Sequence, residues 1–146
     1  MKFKLIIDKE REEEISVVAH CANDFVAKIE NMVMEHNGKN GIYVYRDDEI
    51  THLEFSDIEC ITIIDRKVYV IARDGNQYRS NKKLCDIEME LPTYFIRINK
   101  SSLANEHRIK SYKTTFSGAV DAIFKCGYKE YVSRRCFANI KKRYEI

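Results

Sequence analysis

From Gly41 onward, short apolar runs alternate with turn residues at close intervals. Ile42–Tyr45 and Ile50–Phe55 flank the charged run Arg46-Asp47-Asp48-Glu49 and predict a hairpin. Ile58–Ile64 is a nearly continuous apolar strand. After Asp65-Arg66, Lys67–Arg73 meets Gln77–Ser80 across Asp74-Gly75, a dipeptide suited to a tight hairpin turn. Asn81–Leu91 predicts a short helix ended by the only proline, Pro92. Tyr94-Phe95-Ile96-Arg97-Ile98 then reads as a buried strand running into a polar turn from Asn99 to Ser102. Arg108–Lys113, Gly118–Phe124 and Tyr128–Val132 are further strands, the last two joined across Cys126-Gly127. Ser133 is placed to cap a terminal helix with Phe137, Ile140 and Tyr144 on its apolar side and Arg134, Arg135, Lys141, Lys142 and Arg143 on its basic side. The pattern predicts an α+β protein, mainly β with short helices, its centre a β-sandwich or curled sheet.

The first forty residues read differently. Lys2–Asp8 and Glu14–His20 predict two strands joined by the charged run Lys9 to Glu13. Asn23 is a good N-cap for a helix in which Phe25, Val26, Ile29, Met32 and Val33 form an apolar stripe, and which stops near Asn37-Gly38. This gives a ββα extension over residues 1–40 ahead of a domain at 41–146. The helix stripe has two readings: it packs on the sheet, or it serves as a dimerisation or partner surface.

Composition narrows the function classes. Apolar residues are 45% and charged residues 33% of the chain, as in globular domains, and no apolar run approaches membrane-crossing length. The N-terminus lacks the pattern of a signal peptide, and a cytoplasmic location is expected. Five cysteines without C-x-x-C spacing and four scattered histidines predict no disulfide framework, metal site or cofactor. With no nucleophile elbow, Gly-rich phosphate loop or paired carboxylates in an apolar setting, neither catalysis nor a small-molecule substrate is expected. The formal net charge of +2 conceals a division. Residues 1–60 hold seven Lys or Arg against fourteen Asp or Glu, and residues 61–146 hold eighteen against nine. The basic half suits a polyanion and the acidic half repels one.

The strand and turn at Tyr94–Asn105 sharpen this. Phe95, Arg97, Asn99, Lys100, Ser101 and Asn105 match in order the central signature of the LytTR DNA-binding domain family, which the chain resembles from about Gly41 to Ile146. A second landmark of that family, a glycine turn, a strand and Val-Ser-Arg-Arg, stands here as Gly127, Tyr128–Val132, Ser133, Arg134 and Arg135. The resemblance implies a transcriptional regulator of double-stranded DNA, acting as a homodimer, whose loops rather than a helix-turn-helix enter successive major grooves. Carried over by position, it implies base reading by Lys67, Lys100 and Arg135. Contacts to the DNA backbone are implied for Arg66, Asn99, Ser101, Tyr131, Ser133, Arg134 and Lys141. Family members commonly carry His and Asn in the first two reading places, so the lysines here change the expected target. Forty residues are too few for a receiver domain, and the resemblance points instead to control by a membrane-protein inhibitor. The alternative is a β-rich protein-interaction module whose basic face binds polyanions without sequence preference.

Overall fold

The computed structural model describes residues 1–144, so the final two residues of the 41–146 domain lie outside it. Ten strands form in chain order. They are β1 (Gly41–Arg46), β2 (Glu49–Glu54), β3 (Ile58–Ile64), β4 (Lys67–Ala72), β5 (Gln77–Ser80), β6 (Phe95–Asn99), β7 (Ser102–Asn105), β8 (Ile109–Thr114), β9 (Val120–Phe124) and β10 (Lys129–Val132). The helices are α1 (Asp24–His36), α2 (Leu84–Glu90) and α3 (Arg134–Tyr144). No helix among the described residues is long and apolar enough to cross a membrane.

Seven strands make one antiparallel sheet in the order β2-β1-β5-β4-β3-β7-β6, and three make a second in the order β10-β9-β8. Strand alternation sends neighbouring residues into two different cores. Ile61, Val70 and Leu103 join a cluster with Ala27 of α1 and Leu84 and Ile87 of α2. Cys60, Ile71, Ile98 and Ala104 join another with Val120, Ala122, Phe124 and Val132 of the small sheet and Ile140 of α3. The large sheet is therefore covered on both faces at β3, β4, β6 and β7, which is why β3 is apolar without a polar face. The centre is a large sheet between a helical layer and a small sheet, rather than two like sheets.

A buried ion pair ties the layers. Glu59, fully buried on β3, accepts from Arg108 Nε at 2.6 Å and Nη2 at 3.3 Å, and from the Cys126 amide at 2.9 Å. The remaining acceptor capacity of the carboxylate is thus used, the condition under which a buried charge is tolerated. Gly127, φ +94°, supplies the left-handed residue of the β9–β10 turn, and its amide donates to the Phe124 carbonyl.

Three expectations are corrected. Ser102, read as the end of a polar turn, instead opens strand β7, which is buried at every residue between β3 and β6. Its polarity is matched internally: Ser102 Oγ lies 2.7 Å from Thr62 Oγ1, and Asn105 Nδ2 donates to the Ile58 carbonyl. Next, α1 forms with its Asn23 cap as expected, but docks through a different side. Ala27 and Met34 join the core, Glu30 accepts from the Thr93 amide and hydroxyl, and Asn31 accepts from the Tyr94 hydroxyl, while Phe25 and Met32 stay exposed. Polar partners on the domain, not the apolar stripe alone, choose the docking face. Finally, the two strands expected before α1 do not form. Residues 1–22 are wholly exposed, because a two-stranded hairpin without a third strand or a packed face is marginal in water.

Candidate nucleic-acid interface

Backbone pairing brings three turns to one end of the large sheet. Ser102 stands opposite Thr62, so the β6–β7 turn lies beside the end of β3, and the Ile63 amide donates to the Ser101 carbonyl at 3.0 Å. That end of β3 leads into the two-residue turn Asp65-Arg66, both in the left-handed region at φ 50° and 67°. The β10–α3 junction is drawn alongside by two bonds, Ser133 amide to the Ile98 carbonyl at 2.8 Å and Asn99 Nδ2 to the Tyr131 carbonyl at 2.6 Å.

Within the turn the signature residues divide their work. Phe95 is core. Arg97 reaches back with Nη1 to the Lys100 carbonyl at 2.7 Å, while its Nε donates to Glu88. Asn99 accepts from the Ser101 amide at 2.8 Å. These bonds fold the turn so that Lys100 is left as its exposed cation.

The other two expected readers are exposed. Lys67 is exposed at the first position of β4, directly after the Asp65-Arg66 turn. Arg135 is exposed in the first turn of α3, whose start is fixed by Ser133: its Oγ accepts from the Cys136 amide at 3.2 Å and its carbonyl from the Phe137 amide. Among the expected backbone-binding residues, Arg66, Tyr131, Arg134 and Lys141 are exposed, and Ser101 and Ser133 are half-buried. Lys141 Nζ rides 5.2 Å from the Phe137 ring centroid. Asn99 is the exception: it is buried, with its carbonyl oxygen and an amide proton committed inside the fold, so it shapes two loops instead of facing solvent.

Electrostatically the end is unbalanced. Arg97, Arg108 and Arg143 each pair with a carboxylate, whereas Arg66, Lys67, Lys100, Arg134, Arg135 and Lys141 have none within ion-pair distance among the described residues. Behind the turns lies a polar cluster with no signal in the sequence. Glu130 accepts from Thr62 Oγ1, from the Tyr128 hydroxyl at 2.7 Å and from the Tyr131 amide. Burial first, then the neighbouring carboxylate, pushes the Tyr128 hydroxyl well above the usual tyrosine range, so it stays a donor even where an ordinary tyrosine ionises. The cluster bonds β3 to β10, and through Thr62 and Ser102 to β7. Arg97 was legible as a signature residue, though not as a clamp.

Comparison with known proteins gives the family and the fold. Residues 48–145 match the family described as the LytTr DNA-binding domain. HTH-type transcriptional regulators of Staphylococcus aureus strains N315 and MW2 are each 31% identical over 147 residues, covering 100% of this chain and 99% of their own. The LytTr DNA-binding domain of a methyl-accepting/DNA response regulator from Bacillus cereus superposes with a TM-score of 0.66 at 21% identity, covering 73% of this chain and 98% of that one. The helices here are separated by strands, so the described residues hold no helix-turn-helix of the kind those regulators' description names.

Proposed function

The chain belongs to the LytTR DNA-binding domain family, and from that premise we propose that it is a sequence-specific transcriptional regulator whose loops read the major groove. The observation that carries the reading is the gathering, on and beside three turns tied to one another by hydrogen bonds, of cations with no carboxylate within ion-pair distance among the described residues. Lys67, Lys100 and Arg135 are the proposed base readers, one from each turn. Arg135 can grip guanine O6 and N7 with two parallel bonds, and the lysines act as less selective single donors. Arg66, Ser101, Tyr131, Ser133, Arg134 and Lys141 are the proposed phosphate contacts. The Ser133 hydroxyl accepts as a cap yet keeps its own proton to donate. Asn99 becomes a positioning residue. The regulator is proposed to act in the cytoplasm as a homodimer on paired half-sites, which two-fold symmetry favours.

Selection of bound duplexes from a random pool tests the reading. One enriched motif is expected, with log affinity falling linearly against log salt and Lys141→Ala flattening that slope by about 0.9. Weak binding indifferent to sequence favours the polyanion-binding interaction module instead.

A further inference from the structure

Residues 1–22 are exposed throughout, and among the described residues no backbone-to-backbone hydrogen bond involves them. Yet the first segment, Lys2-Phe3-Lys4-Leu5-Ile6-Ile7, has the composition of a strand. Phe3, Leu5 and Ile7 fall on one face at period two, and they are 91%, 71% and 83% exposed. An apolar strand sequence with an unpaired backbone is half of a ladder.

The other half is on the large sheet. β2 is its outermost strand and pairs with β1 alone, which leaves every second N–H and C=O on its outer side without a strand partner in this chain. Around that edge the β1–β2 hairpin exposes apolar surface at Tyr43, Tyr45 and Ile50, the first and last at 69% and 64%. The edge is acidic, with Asp47, Asp48, Glu49 and Glu54 against Arg46. The first arm segment is basic, with Lys2 and Lys4 and no acid before Asp8. Glu12, Glu13 and Glu14 lead the second segment, so the first is the one this edge attracts.

We propose that two copies of this chain exchange arms, residues 2–7 of each adding as an outer strand to β2 of the other. The inference rests on the dimeric reading above and names the surface that makes the dimer. Each copy holds one arm and one edge, so reciprocal exchange closes as a two-fold dimer and leaves neither half free. The area suffices. Phe3, Leu5 and Ile7 on one face of the arm together with Tyr43, Tyr45 and Ile50, at on the order of 100 Å² each, supply about 600 Å² per copy, the lower end of a standard stable interface. In the sheet order β2 lies at the end opposite β7 and β6, so the exchange leaves the cationic turns open. The matches to the Staphylococcus aureus regulators run through the arm, whereas the Bacillus cereus domain covers only 73% of the chain.

Sedimentation of the full chain and two variants tests this. Leu5→Pro removes an arm N–H, and Glu49→Lys with Ile50→Lys turns the edge cationic against Lys2 and Lys4. All three positions are exposed, so circular dichroism is expected to match the parent. Each variant alone is expected to self-associate about tenfold more weakly or worse. Mixing the two is expected to give a 1:1 dimer held by one arm–edge pair, weaker than the parent's but tighter than either variant alone, because the sound arm of the edge variant finds the sound edge of the arm variant. An edge variant that dimerises like the parent, or a mixture that restores nothing, overturns arm exchange and leaves the dimer to another surface, arm against arm included. A parent chain that stays monomeric both free and on paired sites overturns the dimeric reading itself.

Discussion

Arg135→Glu is expected to make the protein more stable while abolishing DNA recognition. The first turn of α3 carries Arg134 and Arg135 and no acidic residue, so two cations sit where the helix dipole presents its positive end. Each such charge costs about 0.3–1 kcal/mol at an exposed site, and a carboxylate in the same turn gains a similar amount. The exchange is thus worth about 0.6–2 kcal/mol in favour of folding, or a rise in Tm of roughly 1–8 °C for a chain of this size. The gain is expected to shrink as salt rises. Against DNA, losing a two-bond guanine contact costs about 1–3 kcal/mol, and the new charge adds repulsion from phosphate. Calorimetric melting and fluorescence anisotropy on the selected duplex, run on the same preparations at two salt concentrations, read both effects. Arg135→Ala separates them: it is expected to relax preference at one base pair instead of weakening all sequences alike. If Arg135→Glu lowers Tm and leaves affinity unchanged, Arg135 stabilises the fold and the proposed reading role is wrong.

Arg66→Gly relieves a left-handed arginine; stability is expected to rise by about 0.5–1 kcal/mol in denaturant titration while DNA affinity falls. Asn99→Ala unties the β6–β7 turn from the Tyr131 carbonyl, and it is expected to cost about 1–3 kcal/mol of stability and to lower affinity with an unchanged salt slope. A changed slope there marks a phosphate contact after all. Burial pushes the Tyr112 hydroxyl up to about 12 and those of Tyr94 and Tyr144 up also. A folded pKa above the unfolded value favours the folded state below the unfolded value and loses that advantage as pH rises through the folded one. Stability is therefore expected to fall from about pH 10 to 12, the ordinary tyrosine value to that of Tyr112, with these tyrosinates absorbing at high pH only as the chain unfolds.

Much of the sheet was legible because its strands are bounded by turn residues with definite backbone demands. Asp74-Gly75, Cys126-Gly127 and the cap at Ser133 each stand where expected. Strand β7 was not legible, since Ser102-Leu103-Ala104-Asn105 neither alternates nor carries β-branched residues. A strand buried on both faces has no solvent side to mark its period, and its polar groups are answered by residues distant in sequence, Thr62 and Ile58. The docking side of α1 was hidden for the same reason, as Glu30 and Asn31 read as solvated until Thr93 and Tyr94 are beside them. For the interface, residue types identified the cationic positions. Burial alone distinguished Asn99, whose short amide side chain suits a phosphate contact and an internal clamp equally well in sequence.

The three turns hang from different strands, and the bonds that hold them together run through backbone atoms, Asn99 and the Thr62, Ser102 and Glu130 side chains, not through the proposed readers. A change at position 67, 100 or 135 therefore leaves the spacing of the other two untouched, and effects on binding at separated positions are expected to add. Helices that read DNA from a single face lack this independence, because neighbouring readers share one docking angle. A loop-borne interface of this kind can acquire a new operator one base pair at a time, each step leaving the mutual placement of the turns unchanged.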